Sequence, residues 1–129
     1  MNVANACIGA ALMLIYVPRV VVARAMAKQP EGYDNADPRA QQARLAGLGK
    51  RALAAHHNGF EAFAPFAAGV LAARQAGASD AVIVPACLVF VAARIAYVAC
   101  YLADQAALRS LVWFVGFCAT IALFFQAVA

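Results

Sequence analysis

The stretch RALAAHHNGFEAFAPF, residues 51–66, sets Arg51, His56, His57, Asn58 and Glu61 inside an otherwise apolar run. A second polar group, Arg94, Tyr97 and Tyr101, interrupts the apolar RIAYVACY, and Arg109 follows in AALRS. Arginines take carboxylates through paired, charge-assisted hydrogen bonds, and a carboxylate such as Glu61 suits an ammonium group. A small ligand carrying both charges is what such a set could hold. Helical spacing supports the grouping. At about 100° per residue Asn58 lies about 20° from Arg51, with Glu61 and Pro65 within about 80°. Tyr101 lies about 20° from Arg94, and Tyr97 about 60°. His56 points nearly opposite the Arg51 face, so the two histidines are split; adjacent ones diverge by about 100° and cannot grip one ion. Without a third ligand at a metal-like spacing, no metal centre is expected. Cys7, Cys87, Cys100 and Cys118 fall in separate apolar segments without a C-x-x-C pattern, and read as small buried hydrophobes.

These residues need elements to carry them, and composition says what those are. Of the 129 residues, 66% are hydrophobic and only 12% charged, more apolar than a soluble domain this small could hide. Lipid is therefore the expected solvent. A spanning helix needs about 20 mostly apolar residues, and four candidates stand at roughly 3–25, 45–73, 81–103 and 108–128. The expected fold is all-α: one integral membrane domain, a four-helix up-down bundle. The opening MNVANACIGAALMLIYVPRV has its arginine after the apolar run, the reverse of a secretory signal. Alanine and glycine recur in every segment, as close helix packing in lipid requires.

Basic residues set the expected orientation. Arg19, Arg24, Lys28, Arg39, Arg44, Lys50 and Arg51 gather around the first loop, about residues 28–44, and Arg109 flanks the third. Loops rich in Lys and Arg stay in the cytoplasm, so loops one and three are expected inside and both termini outside. The +4 net charge follows from this topology and calls for no nucleic acid. The first loop, KQPEGYDNADPRAQQAR, reads as turn rather than helix, with its prolines, glycine and Asp-Asn-Asp cluster. With this topology all four helices bring polar residues to one cytoplasm-facing level.

Each residue also has a plainer reading. A charge at the centre of a membrane helix costs about 2.5–3.5 kcal/mol and usually faces a bundle interior or wet cavity. Glu61 is thus expected to pair with Arg51 or Arg94, as a structural pin, or to line a ligand site. Arg19, Arg24 and Lys28 serve as snorkelling anchors, and Tyr97 and Tyr101 could belong to an interfacial aromatic belt. On this reading the chain is a membrane scaffold or lipid-binding protein whose polar layer locks the assembly.

NGFEAFAPF and RIAYVACY nevertheless resemble a known pattern. The first has asparagine, glutamate three residues on, then proline and phenylalanine; the second has arginine with tyrosines three and seven residues on. Together they resemble the MAPEG superfamily, membrane-associated proteins in eicosanoid and glutathione metabolism, and a bacterial member of it. The resemblance implies a homotrimer in the bacterial inner membrane. It also implies a transferase or peroxidase that binds glutathione between protomers and receives a small lipophilic substrate from the membrane lipids. Carried over by position, Arg51, Asn58, Glu61, Arg94, Tyr97 and Tyr101 would hold the peptide. Arg109 would activate the thiol, lowering its pKa from about 8.5; a shift of about 1.5–2 units takes about 2–3 kcal/mol. Two positions depart from the synthase-like pattern. Ala54 stands where those members have an arginine, and Arg109 comes one residue later relative to Tyr101, with Asp104 between them.

Overall fold

The computed structural model describes residues 2–128. Every described element is helical: α1 (Val3–Ala27), α2 (Pro38–Ala43), α3 (Gly47–Gln75), α4 (Asp80–Leu102) and α5 (Ala106–Val128). The four long helices pack on one another, with α3 touching α1, α4 and α5. Three of them, α1, α4 and α5, are long and apolar enough to cross a membrane. The fourth expected span, α3, does not meet that measure. Lys50, Arg51, His56, His57, Asn58 and Glu61 all lie in its first half.

Loop one also differs from its turn-like reading, because six of its residues form α2. Asp37 Oδ1 accepts the Ala40 amide at 3.2 Å, and Pro38 occupies the first turn, an N-terminal arrangement that helices favour. The loop is tied to the bundle by Gln41, which is fully buried. Its amide nitrogen donates to the carbonyls of Met26 and Gly32, and its oxygen accepts the Asp34 amide. All of the side chain's main bonding capacity is thus spent on holding residues 32–34 against the end of α1.

The later turns are short, so packed neighbours must run antiparallel. After α3 the chain reverses through Gly77 at φ +82°, with the amides of Ala78 and Gly77 bonded to the carbonyls of Ala73 and Arg74. This paired capping motif requires a left-handed residue, usually glycine. After α4 the same pair of bonds recurs, from Gln105 to Cys100 and from Asp104 to Tyr101, but Asp104 holds the left-handed position at φ 62°. Aspartate is among the few side chains that tolerate it, and its carboxylate has a use there.

Two buried clusters fill the bundle. Phe66, Val70, Ile83, Cys87, Phe90 and Leu123 make the larger, with the Phe66 and Phe90 rings stacked at 3.8 Å. Val22, Met26, Leu45 and Ala52 make the smaller, near loop one. Small residues set the helix spacing: a Cβ on Gly49 would come within 2.8 Å of the Ala25 Cβ, so α1 and α3 can touch only because it is absent. Large apolar side chains such as Met13, Leu71 and Phe125 remain exposed on the outside, as a protein solvated by lipid permits.

Candidate functional site

The expected site residues fall into one connected group and one outlier. On α3, the Asn58 amide nitrogen donates to Glu61 Oε2 at 3.0 Å, while its oxygen accepts from Arg94 Nη1 of α4, also at 3.0 Å. Arg94 then stacks its guanidinium 4.2 Å from the centre of the Tyr97 ring. Tyr97 meets Tyr101 edge-on at 5.3 Å, and the Arg109 guanidinium of α5 lies 4.4 Å over Tyr101. A single polar chain therefore runs Glu61, Asn58, Arg94, Tyr97, Tyr101, Arg109 across three helices. Arg94 and Tyr97 are buried, whereas Glu61 is exposed at the bundle surface. Cation–ring contacts contribute about 0.5–1 kcal/mol when exposed and about 2 when desolvated, so this chain also braces α4 against α5.

Asn58 is the hinge of the arrangement. An amide offers a donor to a carboxylate and an acceptor to a guanidinium from one short side chain. It replaces the expected ion pair of Glu61 with Arg51 or Arg94. Among the described residues the ion pairs are Arg44–Glu31, Arg51–Asp104 and Arg74–Asp80, and Glu61 reaches Arg94 only through Asn58.

Arg51 is the outlier. Its guanidinium lies 3.3 Å from Asp104 Oδ2 and 3.4 Å from the Leu102 carbonyl, at the turn between α4 and α5. Helical rotation places Arg51 and Asn58 on one face but says nothing of their height. Seven residues separate them, about 10 Å along the helix, and at that level the C-terminal carbonyls of α4 favour a cation. Asp104, the acid between Tyr101 and Arg109 in sequence, is thus paired with Arg51.

The histidines part as their spacing indicates. His57 is exposed, while His56 Nδ1 donates to the Ile15 carbonyl of α1 at 2.7 Å and packs edge-on against Phe60 at 5.2 Å. No group of three or more potential metal ligands occurs among the described residues.

Beside the polar chain lies a cleft of about 270 Å³ between α3, α4 and α5. Asn58, Glu61 and Arg94 line its polar part, and Phe90, Trp113 and Phe117 are among its apolar walls. Tyr97, Tyr101 and Arg109 lie outside it. The α5 wall was not anticipated, although Trp113 and Phe117, four residues apart and stacked at 5.4 Å, carry a readable helical spacing.

The family model described as "MAPEG family" matches residues 3–129. No curated protein and no solved structure matches the chain significantly.

Proposed function

From the premise that this chain belongs to the MAPEG family, we propose that it is a membrane enzyme that uses glutathione or a similar anionic thiol against a lipophilic electrophile or peroxide. The family includes glutathione transferases and peroxidases as well as non-catalytic members. The observation that carries the enzymatic reading is a buried arginine beside an exposed carboxylate at the mouth of an aromatic-walled cleft. Arg94 suits a carboxylate of the tripeptide and Glu61 its ammonium, with Asn58 holding both in place. Tyr97 and Tyr101 position Arg109. As the thiol loses its proton to water, Arg109 stabilises the sulfur anion. A hydrogen bond to a charged group is worth about 1.5–3 kcal/mol, or about one to two pKa units. The thiolate then forms a bond to the electrophilic carbon or peroxide oxygen, and the leaving group departs with the displaced electron pair. The apolar walls suit a substrate that partitions into lipid.

The same reading includes a homotrimer in the bacterial inner membrane, with α3 as a fourth span, loops one and three cytoplasmic, and both termini outside. Glu61 supports the assembly, because an exposed carboxylate on a spanning helix costs about 2.5–3.5 kcal/mol unless another protomer or water covers it. Arg51 serves on this account as a cap for the α4 terminus rather than a ligand contact. The rival reading, a scaffold whose polar layer only locks the trimer, is favoured by one fact: Asn58 already bridges Glu61 and Arg94 without any ligand. A thermal-shift titration with glutathione separates the two. The enzyme raises its melting temperature, with Glu61→Gln weakening the effect; a scaffold is unmoved by the thiol, and Glu61→Gln harms only its assembly.

A further inference from the structure

Arg19 of α1, Pro38, Arg39 and Gln42 of α2, and His56 of α3 line a second, open-sided cavity of about 160 Å³. It shares no lining residue with the cleft beside Arg94. Its lining is rich in donors and lacks any acid. The Arg19 side chain makes one hydrogen bond among the described residues, at 4.0 Å to the Met26 sulfur, a weak acceptor. Arg39 donates to Gln42 Oε1 at 3.3 Å. Gln42 is only 6% exposed, and among the described residues its amide nitrogen has no acceptor. His56 spends Nδ1 on Ile15, leaving Nε2 as the ring's remaining polar atom.

The carboxylates of loop one are committed elsewhere. Glu31 pairs with Arg44, Asp34 accepts the amides of Ala36 and Asp37, and Asp37 caps α2. Two guanidiniums and an amide donor therefore face one space, bordered by the His56 imidazole, with no carboxylate among its lining residues. The donors come from α1 and α2; with its Nδ1–H spent on Ile15, the neutral His56 ring offers Nε2 as an acceptor to a ligand hydroxyl. A planar carboxylate takes a guanidinium fork from one side, whereas a tetrahedral oxyanion can accept from several directions at once. Arg19 lies eight residues before the end of α1, about 12 Å along the axis, a depth from which a long side chain reaches the headgroup level.

We propose that Arg19, Arg39, Gln42 and His56 form a binding site for a phosphate-type oxyanion at the membrane surface, supplied as a phospholipid headgroup or as a free phosphate. The site is independent of the thiol reading. Phosphorus NMR on the purified full chain tests it, with inorganic phosphate added to detergent micelles and, separately, with bilayer discs of phosphatidylglycerol or phosphatidylcholine. The wild type broadens the phosphate or the phosphatidylglycerol resonance and gains thermal stability with it. Response to the lipid alone identifies a headgroup, and response to inorganic phosphate alone a soluble ligand; both support the site. Arg39→Gln, on an exposed position of α2, and Arg19→Gln each weaken binding about tenfold, while Arg24→Gln, on an exposed position of α1 outside the cavity, does not. Equal binding by the wild type and both variants, or no response to either probe, overturns the proposal. Displacement of bound phosphate by glutathione overturns it too, by making the cavity part of the thiol site.

Discussion

An amide at position 58 donates to Glu61 and accepts from Arg94 at the same distance, and aspartate or leucine could not combine those duties. Removing it leaves a buried guanidinium short of an acceptor, which costs about 1–3 kcal/mol. Asn58→Ala should lower stability in detergent by that amount, with a non-additive loss when combined with Glu61→Gln in a double-mutant cycle. Additivity of the two would show that the chain is not coupled. The polar character of Asn58, Glu61 and Arg94 was legible because each interrupts an apolar run. The partner of Arg51 was not, since a helical projection reports angle but not depth, and Asp104 lies across a turn. Nor could any pattern assign His56, whose acceptor is a main-chain carbonyl of α1 brought close by tertiary packing.

Helices and turns carry constraints of their own. Gly49→Ala would force its new methyl against Ala25, and overpacking of this kind costs about 1–3 kcal/mol; an unfolding curve reads it directly. Two substitutions of Asp104 separate charge from backbone strain. Asp104→Asn would lose an exposed ion pair worth about 0–1 kcal/mol, and asparagine still tolerates the left-handed conformation. Asp104→Ala would lose the same pair and add the cost of that conformation, so it should be the less stable of the two. In loop one, the hydrogen bond from Arg44 holds the Glu31 carboxyl below the usual carboxylate range. Its contribution to order is therefore present above the unfolded carboxyl's pKa and lost as pH falls through the folded value. Amide exchange across residues 29–45 should quicken below about pH 4, and in Arg44→Gln it should already be fast at neutral pH. A pH-independent profile would contradict this. The loop is also where reading by composition failed: proline, glycine and aspartate argued for turns, yet Asp37 and Pro38 are a helix start. That signal was present and outweighed by its neighbours.

At the scale of the whole molecule, apolar composition pointed to lipid, and three helices of sufficient length together with family membership make this a membrane protein. The polarity of α3, which lowers its likeness to a span, is the same feature that supplies Asn58 and Glu61. The proposed trimer rests on resemblance alone, because a single chain leaves its own contacts with copies unwritten. The exposed Glu61 beside the aromatic cleft requires a cover in a bilayer, and native mass spectrometry from detergent should find three copies; a monomer throughout would remove the protomer interface from the account. Thiol activation by Arg109 is read from the ultraviolet difference absorbance of thiolate on adding glutathione. The wild type should give a thiolate band near neutral pH, lost in Arg109→Ala although glutathione still raises that variant's melting temperature. Absence of the band in the wild type, or its full retention in Arg109→Ala, would contradict that activation.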